Sequence, residues 1–194
     1  MSAAANRALL GEGSTSQDAR LRGSAVVYAL LLVGLLMAIC PVASGAAGVS
    51  ARASFINKKA PEFVRKDLNG NNLALRSLRG KVVLLNFWAT WCAPCLVEMP
   101  VFAKWQEQYG PQGFQVIGIS MDDNSAPVRR VLSKLKLNYP IAMGDAALGE
   151  HYGGVLGLPL TYLIDRKGVV RALIQGETDV NTIEKQLKQI LAQP

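Results

Sequence analysis

Two cysteines three residues apart, Cys92 and Cys95, lie in the string NFWATWCAPC, which directly follows the apolar run Val82–Leu85. This order places a dithiol where a strand should end and a helix should begin. A thiol at a helix N-terminus faces unpaired backbone N–H groups and the positive end of the helix dipole, and both favour the thiolate. The thiolate is the form that attacks disulfides. Because the spacing brings both side chains onto one helical face, the pair can cycle between dithiol and disulfide.

A C-x-x-C sequence has three other common uses. A zinc site would need two further ligands, and the rest of the chain offers only Cys40 and His151, neither in a paired ligand motif. A structural disulfide across so short a loop would remove little chain entropy from the unfolded state. A peroxidatic cysteine would follow the pattern Pro-x-x-x-Thr-x-x-Cys, which precedes neither cysteine. Redox exchange is therefore the favoured interpretation.

Length and composition indicate one compact domain preceded by a leader. The chain has 194 residues, and half of them are apolar, which excludes a disordered chain. Its net charge is +7, but no basic stripe with interleaved aromatic residues and no nucleic-acid motif accompanies that charge. We therefore expect no nucleic-acid partner.

The leader contains a charge-free apolar stretch, Ala25–Cys40, which follows Arg20 and Arg22. Such a stretch is typical of a signal peptide or a signal anchor. A retained anchor is favoured because the residues that precede the stretch are long for a signal n-region. The two arginines favour cytoplasmic retention of the N-terminal end, so the dithiol domain is expected outside the cytoplasmic membrane.

These observations predict four segments. We expect a cytoplasmic N-terminal segment at residues 1–23 and the signal anchor or signal peptide at 24–45. A linker of small residues is expected at 46–57, and the dithiol domain at 58–194. The predicted location is the cytoplasmic membrane, with a single-pass anchor and the domain in the periplasm or another extracytoplasmic space.

The remainder of the chain alternates patterns typical of strands and of helices. This order predicts an α/β fold in which a mixed central sheet is flanked by helices, with an N-terminal hairpin extension and an N-terminal membrane segment. The expected strands are an N-terminal hairpin within Glu62–Leu75, a buried strand Lys81–Trp88, then Phe114–Ser120, Ile141–Met143, Leu160–Asp165 and Val169–Gln175. The expected helices are Ala93–Tyr109, one capped by Asn124 or Ser125, a helical turn at Ala146–Tyr152, and a last helix that starts at Asp179.

Three stretches resemble the thioredoxin superfamily, specifically its membrane-tethered TlpA/ResA-like thiol-disulfide reductases, close to those serving cytochrome c maturation. The first is APEFVRKDLNGNNLALRSLRGKVVLLNFWATWCAPC, which is similar to that family's opening almost position for position. The second, CAPCLVEMP, carries its Cys-x-Pro-Cys-x-x-Glu-x-Pro pattern, and the third, GLPLTYLIDRKG, resembles the segment with its cis-proline. The resemblance implies a thioredoxin-like fold.

The resemblance assigns roles at the dithiol. Cys92 matches the attacking nucleophile and Cys95 the resolving cysteine of a redox-active disulfide. Trp91 matches the aromatic residue before the active site, and Pro94 the residue that tunes the redox potential between the cysteines. Pro159 matches the cis-proline that packs against the disulfide, and it lets the backbone of the preceding residue, Leu158, pair with substrate as an added strand.

Glu98 is the candidate acid/base group. It lies three residues after Cys95 and so on the same helix face, where burial beside two thiols would raise its pKa and let it transfer a proton. Cytosolic thioredoxins instead place a buried aspartate on the preceding strand, and here Asn86 stands at that position and cannot titrate. The alternative for Glu98 is a solvated carboxylate on the helix surface.

Together these features predict an extracytoplasmic thiol-disulfide oxidoreductase that reduces disulfides of client proteins, such as apocytochrome c. We expect a monomer without a dissociable cofactor, which receives electrons from a membrane dithiol donor. A disulfide-forming oxidase or isomerase is the alternative among enzymes. A redox-sensing adaptor or a metallochaperone is the alternative from another class.

Overall fold

The structure is a computed structural model that describes residues 55–194. The predicted cytoplasmic segment 1–23, the predicted anchor 24–45 and most of the predicted linker 46–57 lie outside these residues. Across residues 55–194, no helix combines the length and the apolar character that crossing a bilayer requires.

Residues 55–194 form strands and helices in an alternating order. The strands are β1 (Val64–Lys66), β2 (Asn72–Ala74), β3 (Val82–Trp88), β4 (Phe114–Ser120), β5 (Ile141–Met143), β6 (Leu160–Ile164) and β7 (Val170–Gln175). The helices are α1 (Ala93–Tyr109), α2 (Ser125–Leu135), α3 (Ala146–His151) and α4 (Val180–Leu191), and short 3₁₀ turns span Leu75–Leu78 and Gly110–Gln112.

The central sheet has the strand order β5-β4-β3-β6-β7 within this part of the chain. β3 runs parallel to β4, and β4 runs parallel to β5, whereas β6 is antiparallel to both β3 and β7. The sheet is therefore mixed and flanked by helices, which confirms the predicted α/β architecture. β1 and β2 pair with each other antiparallel, in a separate two-stranded sheet.

β3 is buried along its whole length because both faces of the sheet are covered. Its side chains alternate between two apolar clusters. The first cluster holds Val82, Leu84 and Trp88 together with apolar residues of α1, α2 and α4. The second holds Val83, Leu85 and Phe87 together with α3 and the aromatic rings of Phe63, Tyr152 and Tyr162.

Strand register brings several strand ends to one edge of the sheet. Trp88 at the end of β3 pairs with Ser120 at the end of β4. Phe87 pairs with Leu160 at the start of β6, and Leu160 pairs with Gln175 at the end of β7. We call this the dithiol edge, because the C-x-x-C sequence follows β3 here.

The opposite edge is formed by the turn between β6 and β7, and we call it the hairpin edge. The carboxylate of Asp165 accepts hydrogen bonds from the backbone N–H groups of Lys167 and Val169, both at 2.9 Å. It also accepts one from Nε of Arg171 at 2.8 Å. The first described residues join the sheet at this edge, where the N–H of Asn57 donates to the carbonyl of Val170 at 2.8 Å.

Candidate active site

The dithiol lies at the start of α1 as a disulfide between Cys92 and Cys95, with a Cα–Cα distance of 5.3 Å. Cys92 is the N-cap residue, and its Sγ accepts a hydrogen bond from the backbone N–H of Cys95 at 3.3 Å. Cys92 retains 5 % exposure, whereas Cys95 is fully buried. Reduction would leave a Cys92 sulfur at the positive end of the helix with an N–H donor already aimed at it, which favours a thiolate there.

The two residues on either side of Cys92 that the sequence singles out differ in exposure. Trp91 has 72 % of its surface exposed, so its indole ring is available to a binding partner. Pro94 is half-buried in the first turn of α1, where proline is favoured because the missing N–H would have no helical partner. Val97 lies one turn further along the helix and is also exposed.

Leu158 and Pro159 reach the same edge from β6. The peptide bond between them is cis, Pro159 is buried, and Leu158 is half-buried. The carbonyl of Pro159 accepts a hydrogen bond from the N–H of Gly176 at 2.8 Å, which ties the start of β6 to the end of β7. Because Phe87 pairs with Leu160, Pro159 stands near the point where the chain leaves β3 towards the dithiol.

Glu98 faces the protein interior with 4 % exposure, and its Oε2 has no hydrogen-bond partner among the described residues. Burial, with a smaller contribution from the nearby carboxylate of Glu177, raises the pKa of Glu98 to about 7. A solvated surface carboxylate does not match these surroundings. A carboxyl group with a pKa near neutrality can both take up and release a proton at neutral pH.

Asn86 lies within β3, and its amide side chain cannot titrate. Its Nδ2 donates to the hydroxyl oxygen of Thr161 at 2.9 Å, and both residues are buried. This pair is neutral and internally satisfied, so it adds no proton-transfer group to the site.

Sequence reasoning missed two carboxylates at the dithiol edge. Asp122, with 8 % exposure, follows β4 and accepts hydrogen bonds from the segment that leads to Cys92. Glu177 is exposed and follows Gly176, the donor to Pro159. The signal for Asp122 was its place just beyond the carboxyl end of a strand parallel to β3, where functional side chains gather in open α/β sheets.

Other chemistries find less support in this region. In the part of the chain that the structure describes, no three His, Cys, Asp or Glu side chains are grouped so that they could hold a metal ion. His151 lies exposed at the end of α3, apart from the dithiol in the sequence and in the fold.

Comparison with known proteins supplies the family. Residues 56–173 match the model of the AhpC/TSA family. The chain belongs to this family. It is 36 % identical over 135 residues to the thiol-disulfide oxidoreductase ResA of Bacillus thuringiensis, a match that covers 70 % of this chain and 78 % of that protein. It is 35 % identical to the thioredoxin-like protein YneN of Bacillus subtilis, across 67 % of this chain and 77 % of that one.

A solved structure of a protein with a similar name also resembles this chain in its fold. The thiol:disulfide interchange protein of the thioredoxin family from Chlorobium tepidum superposes with a TM-score of 0.64 at 29 % identity, over 69 % of this chain and 96 % of that one. The predicted resemblance to ResA-like thioredoxin-fold proteins is thus confirmed, and the protein is a thiol-disulfide oxidoreductase. The roles of individual residues at the site stay predictions.

Proposed function

We propose that this thiol-disulfide oxidoreductase works outside the cytoplasmic membrane as a reductase of client-protein disulfides, with apocytochrome c among its clients. The observation that carries the proposal is the placement of Cys92 as the sulfur N-cap of α1, bonded to a buried Cys95, with the buried carboxyl of Glu98 on the same helix. The arrangement provides an attacking sulfur, a resolving sulfur and a proton carrier.

In the first step, the Cys92 thiolate attacks one sulfur of the client disulfide. A Cys92–client disulfide forms, the client S–S bond breaks, and the second client sulfur leaves as a thiolate. The N–H of Cys95 and the helix dipole lower the free energy of the attacking thiolate. Since only Cys92 retains surface exposure, the client meets this sulfur first.

In the second step, Cys95 displaces the client from Cys92. Glu98 takes the proton of the Cys95 thiol, the Cys95 thiolate attacks Sγ of Cys92, and the disulfide seen in the structure forms. The proton passes to the client thiolate that departs from Cys92, and the first client thiolate takes a proton from solvent, to which Cys92 lost its own on ionisation. Two electrons and two protons therefore end on the client. No dissociable cofactor is needed, because both electrons move between sulfur atoms. A membrane dithiol carrier then restores the dithiol.

The client polypeptide binds across the exposed ring of Trp91 and the segment Leu158–Pro159. Pro159 has no N–H to donate, so the backbone of the preceding residue, Leu158, pairs with the client as a short added strand. Pro94 keeps the turn between the cysteines compact. The protein acts as a monomer towards such extended segments, and the segment 24–45 tethers it to the membrane.

The buried acid on the helix of the dithiol supports the proposed reducing direction. Strong oxidants of this superfamily owe their potential to a stabilised reduced thiolate form. A carboxyl group near the dithiol disfavours thiolate once it is ionised, which makes the dithiol a better electron donor. Glu98, buried three residues after Cys95 on α1, supplies that carboxyl group here. The N-cap hydrogen bond acts in the opposite direction and keeps Cys92 reactive.

The deciding measurement is the reduction potential of the dithiol in a glutathione or dithiothreitol buffer. A reductase is expected near the thioredoxin value of about −270 mV, whereas a value near about −120 mV would identify a disulfide-forming oxidase. Trapping tests the roles of the cysteines: Cys95→Ser should accumulate a mixed disulfide with a reporter client, and Cys92→Ser should not. Accumulation with Cys92→Ser alone would reverse the assignment.

A separate experiment tests the location. A reporter that is active only outside the cytoplasm, fused to the C-terminus, should be active, and the product should stay with membranes after a high-salt wash. Activity of a cytoplasm-only reporter in the same fusion would contradict the proposed location. A salt-resistant membrane product supports a retained anchor, and release into the soluble fraction supports a cleaved leader.

A further inference from the structure

The segment between β3 and α1 is held by one buried carboxylate, that of Asp122. Its Oδ2 accepts from the backbone N–H of Thr90 at 2.9 Å, and its Oδ1 accepts from the hydroxyl of Thr90 at 2.5 Å. The hydroxyl of Ser120 donates to Oδ2 at 2.8 Å and fixes the carboxylate on its own strand. Five atoms of three residues therefore form one hydrogen-bonded group beside the segment that leads to Cys92.

The peptide unit between Ala89 and Thr90 connects this group to the nucleophile. Its N–H points to Asp122, and its carbonyl accepts a hydrogen bond from the backbone N–H of Cys92 at 3.1 Å. A peptide unit is planar, so a carboxylate that fixes its N–H also fixes the direction of its carbonyl. The position of the Cys92 backbone thus depends on Asp122 through a single rigid plane.

Strand register explains why this contact forms. Trp88 pairs with Ser120, so Thr90 and Asp122 each lie two residues beyond the same paired position. The N–H of Met121 donates to the carbonyl of Trp88 at 2.8 Å and extends the pairing past the end of the two strands. The loop before α1 is therefore held in place by hydrogen bonds to the residues that follow β4.

We propose that Asp122 is a positioning residue for thiol-disulfide exchange: it holds the Ala89–Thr90 peptide so that Cys92 caps α1. The sulfur of Cys92 then receives the N–H of Cys95 at 3.3 Å, the contact that stabilises its thiolate. This inference rests on the proposed role of Cys92 as the nucleophile. The hydrogen bonds of the Asp122 carboxylate go to Thr90 and Ser120 and not to either sulfur, and Asp122 transfers no proton itself.

The charge of Asp122 and its positioning contact predict opposite changes in the pKa of the Cys92 thiol when Asp122 is replaced, so the two roles can be distinguished. A carboxylate near Cys92 disfavours its thiolate by repulsion, so loss of the charge alone would lower the pKa of the thiol. Loss of the positioning contact would raise it, because the thiolate would lose its N–H donor. Glu98 on α1 and Glu177 after β7, which interact with each other, are further carboxyl groups at this end of the sheet, and substitution of Asp122 leaves both in place.

The experiment measures the rate of iodoacetamide alkylation of Cys92 in the reduced full-length chain between pH 5 and 10, with the labelled peptide identified by mass. Asp122→Ala should raise the pKa of the Cys92 thiol by about one unit. At pH values below that pKa, alkylation should therefore be about ten-fold slower. Asp122→Asn keeps an acceptor for the Thr90 N–H and should stay within about two-fold of the unsubstituted protein. Thr90→Ser should also preserve the rate.

Asp123→Asn is the matched control, because Asp123 is the exposed neighbour and carries the same charge. A lower thiol pKa in both Asp122 variants would show that Asp122 acts only as a charge. An unchanged pKa in Asp122→Ala, together with a lower free energy of unfolding, would show a purely structural role. Either result would contradict the positioning role of Asp122, even though the unsubstituted protein still reduces clients through Cys92. Failure of the proposed function is separate, since it would appear as full turnover by Cys92→Ser.

Discussion

Glu98 at the dithiol edge and Asp165 at the hairpin edge are both buried carboxyl groups, and their surroundings shift their pKa values in opposite directions. At the dithiol edge, Oε2 of Glu98 lacks a hydrogen-bond partner among the described residues, and burial raises the pKa of Glu98 to about 7. At the hairpin edge, Asp165 has 7 % exposure. Burial there raises its pKa, but the hydrogen bonds from Val169, Arg171 and Lys167 outweigh it and hold the pKa below its usual value.

The difference separates a reactive group from a structural one. A carboxylate that is saturated with donors is fixed in its ionised form and stabilises the turn around it. A buried carboxyl group without donors destabilises the fold when it ionises, but it remains free to exchange a proton. The desolvated carboxyl group of Glu98 therefore lowers the stability of the fold when it ionises, whereas the hydrogen-bonded carboxylate of Asp165 stabilises it.

The largest expected effect is on catalysis at the dithiol edge. Glu98→Gln keeps the shape of the side chain and removes its titration, so it should slow resolution of the mixed disulfide by about 10²-fold where proton transfer limits the rate. Stopped-flow measurement of client release checks this. Glu107→Gln, an exposed position on the same helix, is the control and should match the unsubstituted protein. Equal rates for the two variants would return Glu98 to a passive role.

The next effect concerns stability at the hairpin edge. Asp165→Ala removes the acceptor of three hydrogen bonds and leaves backbone donors in the turn unpaired. We expect the free energy of unfolding to fall by about 2–3 kcal/mol, measured by urea denaturation. Exchange activity per folded molecule should be retained, because the turn lies at the edge opposite Cys92. An activity loss that exceeds the loss of folded protein would show that the two edges are not independent.

The pH dependence of stability should differ in sign between the two carboxyl groups. The pKa of folded Glu98 lies above its ordinary value of 4.5, so stability is lost as the pH rises from about 4.5 through about 7. Glu98→Gln should therefore be more stable than the unsubstituted protein at pH 8, by roughly 1–2 kcal/mol after allowance for solvent screening, and the gain should vanish near pH 4.

Asp165 has a lowered pKa, so its contribution is present above the ordinary value of 3.8 and is lost as the pH falls through the folded value. The deficit of Asp165→Asn should accordingly shrink in acid. Denaturation curves at pH 3, 5 and 8 measure both trends. Parallel pH profiles for the Glu98 and Asp165 variants would contradict the distinction between the two edges.

The smallest expected effect comes from Glu177. Its carboxylate is the secondary cause of the raised pKa of Glu98, after burial. Glu177→Gln should lower the pKa of Glu98, and by less than burial raises it, because an exposed charge is screened by solvent. Carboxyl-carbon NMR titration of Glu98 measures the shift. A raised or unchanged pKa would remove Glu177 from the site.

The sequence predicted the parts of the fold that local rules govern. The apolar run of β3, the start of α1 after the dithiol and the caps at Asn124 and Asp179 all lie where periodicity and capping chemistry placed them. The family motif also indicated Glu98, because three-residue spacing on a helix fixes the shared face.

The sequence did not predict contacts set by strand register. Asp122 is 32 residues from Thr90, and their contact depends on the pairing of Trp88 with Ser120. Glu177 follows Gly176, whose N–H bonds to the carbonyl of Pro159, so its place beside the start of β6 depends on the pairing of β6 with β7. Periodicity shows which face a side chain occupies but not which residue of a neighbouring strand lies beside it. The contacts of these two carboxylates therefore could not be predicted without the strand register.

The attachment of the first described residues to the hairpin edge has a practical consequence for the use of this domain. Asn57 and Ala60 bond to Val170 and Gly168, at the end of the sheet opposite Cys92. A dye, a solid support or a fused protein coupled at Phe55 would therefore be joined to the edge remote from the dithiol. An immobilised form prepared in this way presents its reactive sulfur to a flowing solution of oxidised protein without obstruction at the point of coupling.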